Sequence, residues 1–370
     1  MKKLLSFFMV SAMFFSCSSD EPELLTSGNP ATNESETEIT RGSSEMPIAY
    51  FWRKPETLPD LSYMTHVIVS KTVFNSSFDG TLVSKQAAQY LNKIVEHRNK
   101  TNSNVKIILM VGGWGVDGFS QVARDDNKVK KFISQCSKLI DTYGLDGVDI
   151  DWEYPGKATS NNIGYSSSDK ANLTKMMKTF RETFDKYYKS RPKILSIDVS
   201  AKHPDYYDMK GLSKYVDFVN IMTYDMGDPP YHNAPLHSSS MTKGSCNSSM
   251  IDYMDAGVPA SKILMGIPFY GHANGSNSEL KADVSYFEVK KLIEKKDKYT
   301  EKWDDDACVP YLVWKGQTTN ICSFENASSI AAKCKYIKNK GLGGAMVWSY
   351  DHDDSNGTLR KALRKGLWGY

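Results

Sequence analysis

The chain has 370 residues, with 46 Lys and Arg against 43 Asp and Glu and a formal net charge of only +3. That balance excludes the concentrated basic face on which nucleic-acid binding depends. Beyond residue 46 the length suits one large domain or two ordinary ones.

The first segment is MKKLLSFFMVSAMFFSC, residues 1–17. Two lysines precede an apolar run that is too short to span a bilayer, so it reads as the h-region of a signal peptide. It ends Phe15-Ser16-Cys17, a small residue directly before cysteine, which resembles a bacterial lipobox with Cys17 as the lipidated first residue of the mature protein. Ordinary secretion with an incidental cysteine is the alternative. The acidic tract Ser18-Ser19-Asp20-Glu21 resembles a surface-export signal of Bacteroidetes lipoproteins. The expected location is therefore the bacterial cell envelope, lipid-anchored at the outer membrane and exposed at the surface. Residues 18–46 are Ser, Thr, Asn, Glu, Gly and Pro with almost no apolar content. Such a segment cannot bury enough surface to fold and reads as a flexible tether.

From residue 47 to residue 370 short apolar runs alternate with helical patterns. The runs are PIAYFW (47–52), HVIVS (66–70), VKIILMV (105–111), GVDIDW (147–152), KILSIDVS (193–200), FVNIM (218–222), ILMGI (263–267) and GAMVW (344–348). Between them, residues 85–100 carry Ala88, Leu91, Ile94 and Val95 at helical spacing, and helices are predicted near 127–143 and 168–189, the latter with Ser168 as a candidate N-cap. Runs that are apolar throughout suit parallel strands buried on both faces. Eight such units, with no Gly-x-Gly-x-x-Gly after the first strand, predict an α/β fold of the (β/α)8 TIM-barrel type rather than a doubly wound sheet.

The seventh unit is too long for a simple loop. It holds a helical pattern over 286–295 and a hairpin over 309–321, and reads as a small α+β insertion at about 272–322 in the seventh βα loop. Cys308 and Cys322 flank that hairpin. In an oxidising compartment they could pair, and two unlinked thiols are equally open.

The fourth run continues as Asp149-Ile150-Asp151-Trp152-Glu153-Tyr154-Pro155. Side chains alternate faces along a strand, so Asp149, Asp151 and Glu153 share one face and rise in a row toward the C-terminal mouth. Crowded carboxylates in a low-dielectric site repel, and at least one should hold a proton at neutral pH, ready for donation. A surface acidic loop would not interpose Val, Ile and Trp. A calcium loop would need glycine and polar residues where Trp152 and Pro155 stand. No metal and no cofactor are expected.

The run DGVDIDWEYP resembles the signature of glycoside hydrolase family 18, the chitinases and related endo-N-acetylglucosaminidases. Gly112-Gly113 after the third strand, Met222-Thr223-Tyr224-Asp225 after the sixth and Gly343-Gly344-Ala345-Met346-Val347-Trp348 at the eighth resemble further parts of that family in the same order. The resemblance implies retaining, substrate-assisted hydrolysis of β-1,4 bonds at N-acetylglucosamine. It implies Glu153 as the acid, Asp151 on the acetamido N–H, Asp149 sharing a proton with Asp151, and Tyr224 donating to the acetamido oxygen. Asp225, Met222, Gly112 and Gly113 would contact the sugar, and Trp348 would form its apolar floor. One departure stands out: the family's third strand ends Ser-x-Gly-Gly, and here Met110 occupies the serine's place. Met110 cannot donate a hydrogen bond, which leaves Asp149 to another group, with Tyr50 the candidate.

Trp52 and Trp114 could stack sugars in outer subsites or pack the barrel rim. Trp303 and Trp314 could wall the cleft or form the core of the insertion. Asp351-His352-Asp353-Asp354 reads as helix capping rather than a metal site. The expected partner is an N-acetylglucosamine-containing glycan met by a lipid-anchored monomer. Chitin or chito-oligosaccharides are the leading substrates. Endo-β-N-acetylglucosaminidase action on N-glycan chitobiose cores, and a non-catalytic surface lectin on the same fold, are the alternatives.

Overall fold

The computed structural model describes residues 46–370 except 55, 84, 102, 160–162 and 276–279. The segments read from the sequence as a signal peptide and, up to residue 45, a tether, with Cys17 between them, lie outside the described residues. Eight parallel strands carry the fold: β1 (Ile48–Trp52), β2 (His66–Phe74), β3 (Lys106–Gly112), β4 (Gly147–Asp151), β5 (Ile194–Ser200), β6 (Phe218–Met222), β7 (Ile263–Pro268) and β8 (Gly344–Trp348). Each pairs with the next, and β8 pairs back onto β1 with Ala345 opposite Ile48. The sheet is thus a closed (β/α)8 TIM barrel without an open edge.

Closure explains why both faces of these strands are apolar. On β1, Ile48, Tyr50 and Trp52 face the outer core under the helices. Ala49 and Phe51 face the barrel interior, where Ile68, Ile108, Met110 and Met346 join them. The helices follow from ordinary signals. In Asp126–Tyr143, Val129, Phe132, Ile133, Cys136 and Ile140 fall on one buried face. Its N-terminus is capped by the Asp125 carboxylate, which accepts from the N–H groups of Asn127 and Lys128, and Gly144 ends it at φ +66°. Ser168 does not cap Asp169–Tyr187: it already has helical dihedrals, and its side chain makes no capping bond. The last helix, Thr358–Trp368, is held at its start by Asp353 and Asp354. Asp354 accepts from Thr358 N–H at 2.9 Å, and Asp353 accepts from the N–H groups of Leu359 and Arg360 at 3.1 and 3.0 Å.

Directly after β7 the chain leaves the barrel. Strands Tyr270–Ala273, Asp283–Ser285, Tyr299–Asp304, Val309–Trp314 and Cys322–Ser323 form an antiparallel sheet with the helix Tyr286–Glu294 beside it. Cys322 pairs opposite Leu312 and carries a free thiol, so no bridge to Cys308 forms. Cys308 lies four positions along the strand from Leu312, on the order of 13 Å at strand rise, well beyond the span of a disulfide. Trp314 stacks on Tyr299 at 5.0 Å inside this sheet.

Gly112 ends β3 at φ +116°, and a Cβ there would sit 1.9 Å from the Asp151 carbonyl oxygen. Only glycine lets β3 and β4 approach so closely where the carboxylate row emerges. Gly112→Ala is therefore expected to cost at least about 2 kcal/mol of stability, measured by urea denaturation. A loss within 0.5 kcal/mol, the usual scatter for neutral substitutions, would show that the strands can part without cost.

Candidate active site

Along β4 and the two residues after it, alternation divides the side chains cleanly. Val148, Ile150 and Trp152 join the outer core, with Trp152 stacked on Phe119 at 5.3 Å. Asp149, Asp151 and Glu153 face inward with 0%, 4% and 9% exposure, so the row climbs from the sealed interior to the mouth.

Asp149 is held from the neighbouring strands. Ser196 of β5 and Asn220 of β6 donate to its Oδ1, the latter at 3.2 Å. Met110 lies opposite Asp149 in the β3–β4 register and offers no donor. Tyr50 does not substitute for it. Tyr50 sits on the outward face of β1, edge-on to Phe269 and Tyr350 at 5.8 Å each, and its hydroxyl is buried without a partner. Trp52 shares that outward face, packs against Tyr90 at 5.7 Å and donates its indole N–H to the Thr57 carbonyl. Neither Tyr50 nor Trp52 reaches the cleft; Phe51 does.

A fourth carboxyl, Asp198 of β5, stands beside the row at 2% exposure. It was detectable in the sequence as one of three polar residues, Ser196, Asp198 and Ser200, at alternate positions of an otherwise apolar strand. Burial raises the pKa of all four carboxyls. It holds Asp151 well above the carboxylate range, with repulsion from Glu153 and Asp149 adding and Lys71 opposing. Asp198 is also held well above it, with the charges of Asp149 and Asp151 adding and Asn220 opposing. Burial raises Asp149 as well, opposed by its neighbour Asp198 and by the hydrogen bonds from Ser196 and Asn220. Glu153, nearest the mouth, is pushed up by burial to about 7; a hydrogen bond from Tyr154 and the charge of Lys71 oppose the rise, and Asp225 adds to it.

Asp151, Glu153 and Asp198, but not the sealed Asp149, line a cavity of about 790 Å³ together with Met222, Tyr224, Asp225 and Trp348. The other walls include Phe51, Trp114, Tyr270 and His272. Tyr224 directs its hydroxyl at the Met346 sulfur, 3.8 Å away, and burial keeps the phenol protonated. Asp225 is in the left-handed region at φ +54°, with its N–H bonded to Asn233 Oδ1 at 2.7 Å. Its carboxylate accepts from the Tyr270 hydroxyl and lies 2.9 Å from His272 Nε2. Burial lowers the His272 pKa, but the bond to Asp225 and the charges of Asp225, Asp283 and Asp228 outweigh it, and the net shift is upward.

Tyr270 and His272 come from the inserted sheet and carry no motif, so the sequence pointed to neither. Trp348 rests against Phe51 at 5.0 Å, with the Arg53 guanidinium 4.9 Å from its ring centre. Trp114 is 64% exposed at the cleft edge, edge-on to Tyr154 at 6.5 Å. Gly112 and Gly113 do not line the cavity. They act through the backbone, Gly113 N–H donating to the Asp151 carbonyl at 2.9 Å. Trp303 and Trp314 also lie away from it. Among the described residues no group of His, Cys, Asp or Glu side chains is arranged to hold a metal ion.

A TIM barrel whose fourth strand lifts buried acids to its C-terminal mouth, in a cavity also lined by aromatic rings, has the architecture of a glycoside-cleaving class of protein. Comparison with known proteins narrows the class. The family model described as Glycosyl hydrolases family 18 matches residues 33–353, and the chain belongs to that family. Chitinase A1 of Niallia circulans is 31% identical over 75% of this chain, and chitotriosidase-1 of Mus musculus is 28% identical over 70% of it. The chain spans only 44% and 61% of the lengths of these curated relatives. Among solved structures, a family 18 N-acetylglucosaminidase from Paenibacillus barengoltzii superposes with a TM-score of 0.76 at 28% identity, covering 87% of this chain and 100% of that one.

Two predictions follow from the burial of these groups. Asp151 keeps its proton in the fold but ionises near pH 4 when unfolded. The folded state therefore binds the extra proton from about pH 4 upward, and stability falls as pH rises toward the folded pKa. Replacing Asp151 by Asn removes that dependence. The Tm difference in the variant's favour should widen from pH 4 to pH 8 in thermal melts, and a difference constant with pH would mean Asp151 is ionised in the fold. Tyr50→Phe deletes a buried hydroxyl that has no partner, so stability should hold or rise; a loss of more than about 1 kcal/mol in urea would reveal a bond to that hydroxyl.

Proposed function

We propose that this protein hydrolyses β-1,4 bonds at N-acetylglucosamine in chitin or chito-oligosaccharides, with retention of configuration and with the substrate's acetamido group as nucleophile. The observation that carries the reading is Glu153: an acid that titrates at about 7 on the wall of a cavity it shares with Asp151 and Tyr224. Such a group is protonated often enough near neutrality to act as an acid and is readily deprotonated to act as a base. The similarity to a chitinase, a chitotriosidase and an N-acetylglucosaminidase supports the choice of sugar.

In this mechanism Glu153 delivers its proton to the glycosidic oxygen as the bond to the anomeric carbon breaks. The acetamido carbonyl oxygen of the −1 sugar closes onto that carbon from the opposite face, giving an oxazolinium ion. Asp151 turns to the acetamido N–H, and the negative charge it shares with Asp149 offsets the positive charge that develops. Tyr224, kept protonated by burial, donates to the acetamido oxygen. Water then attacks the same carbon from the side the leaving group vacated, giving its proton to Glu153, so the configuration is retained. Asp225, oriented by Tyr270 and His272, accepts from a sugar hydroxyl. Trp348 offers its face to the pyranose, Met222 fills the wall beside it, and exposed Trp114 stacks a sugar farther along the cleft. Ser196 and Asn220 give Asp149 the donors that Met110 lacks, which supports activity despite that departure. The leader and tether complete the proposal: a monomer anchored by lipid at Cys17 to the bacterial outer membrane, working on glycans outside the cell.

The test compares wild type with Glu153→Gln on chito-oligosaccharides and on a high-mannose glycoprotein, with products read by mass spectrometry. Wild type should release N-acetylglucosamine-ended fragments from the oligosaccharides, and the variant should be slower by about 10²- to 10⁴-fold. Release from the glycoprotein instead would reassign the substrate to the chitobiose core, and binding without cleavage by both proteins would make this a lectin. A second outcome concerns pH. Because the protonated form of Glu153 is the active one, kcat/KM should fall as pH rises through about 7. A profile flat from pH 6 to 9 would remove Glu153 from the acid's role.

A further inference from the structure

On the wall of the cavity, the buried carboxyl of Asp198 takes no part in that mechanism. Asp198 is 2% exposed, lines the cavity, and has no N–H or O–H in hydrogen-bond geometry at either carboxyl oxygen. The same is true of Asp149 Oδ2. The register puts Ser196 opposite Asp149 and Ile197 opposite Ile150, so Asp198 stands one step higher on β5, level with Asp151. Two carboxyls buried together cannot both be ionised, but they satisfy each other if one keeps its proton. Ser196 and Asn220 already point their donors at Asp149, which favours the anion there.

We propose that Asp198 is a positioning residue for the reaction, donating its carboxyl O–H to Asp149 and pinning that carboxylate's charge beneath Asp151. The inference rests on the reading of Glu153 as the acid and adds a residue to it. Asp149 then holds three donors, from Ser196, Asn220 and Asp198, and stays in place when Asp151 turns. Asp151 Oδ1 has no partner of its own and can turn without breaking a bond. The O–H on β5 thus does from one side what the thioether of Met110, facing Asp149 from β3, cannot do from the other. The charged and titratable groups around this pair are Asp151 at the end of β4 with Glu153 just beyond it, Lys71 of β2, Tyr224 beyond β6, and Lys202 and His203 on the loop after β5.

The experiment measures kcat and KM against pH on chito-oligosaccharides for wild type, Asp198→Asn and Asp198→Ala, each checked by thermal melting. Asn keeps an N–H donor that does not titrate, and its kcat should stay within about threefold of wild type. Ala removes the donor. It should lower kcat by about 10- to 100-fold, the rate equivalent of one hydrogen bond to a charged group, with KM little changed. Its acidic limb should move to higher pH, because Asp149 without that donor takes up a proton sooner. Equal losses in both variants with an unmoved acidic limb would reduce Asp198 to packing and overturn the proposal, as would an Ala variant with wild-type kcat. If wild type turns over nothing, the reading of Glu153 fails, and Asp198 is then judged without substrate. The infrared difference between wild type and Asp198→Asn at neutral pH should contain one protonated-carboxyl C=O stretch, and its absence would overturn the inference whatever the activity.

Discussion

Three acids on one face of a single strand cannot all be ionised inside a closed barrel. Burial removes the water that would screen them, and each charge penalises the next. Much else near the mouth of this barrel answers that constraint. Ser196 and Asn220 reach Asp149 from the two following strands. Asp198 shares its low-dielectric pocket rather than adding another charge, and Lys71 brings a cation to bear on Asp151 and Glu153. The gradient of exposure along the row then sorts the groups: the sealed ones are governed by hydrogen bonds and shared protons, while Glu153, nearest solvent, is left to titrate near neutrality.

A second dependence runs between the barrel and the inserted sheet. Asp225 sits in a left-handed turn after β6 with its side chain largely in solvent, and by itself would be a mobile surface carboxylate. The insertion leaves the barrel just after β7, and its first strand carries Tyr270 and His272 onto that carboxylate from the side. The cleft wall and the orientation of Asp225 therefore arise from the same few residues. Next to that wall Trp348, opposite Pro268 in the β7–β8 register, is held between Phe51 and Arg53, so β1 and β8 together position this ring.

The fold was legible because its signals are local. Eight apolar runs at regular spacing describe eight doubly buried strands, and the surplus length after the seventh marks the inserted sheet. The acid row was legible for the same reason, since alternation is a property of a single strand and Asp149, Asp151 and Glu153 differ by two. What sequence reasoning misplaced are residues whose roles depend on the other strands. Tyr50 and Trp52 lie on a strand that is apolar on both faces, so nothing within it says which parity looks inward; closure against β2 and β8 turns Phe51 in and Tyr50 out. Ser168 fails as a cap because its own backbone is already helical.

The sequence by itself determined the eight barrel strands, the first helices and the acid row, each from periodicity or composition within about ten residues. The aspartate after the sixth strand and the tryptophan that ends the eighth were picked out by resemblance to the family instead. Only the tertiary structure decided that Asp198 stands buried on the cavity wall beside the acid row, that Tyr270 and His272 orient Asp225, and that Cys308 lies far from Cys322. The physical reason is register. How far one strand is staggered against its neighbour is set by packing summed over the whole closed barrel and the inserted sheet, and no short window of residues contains that sum.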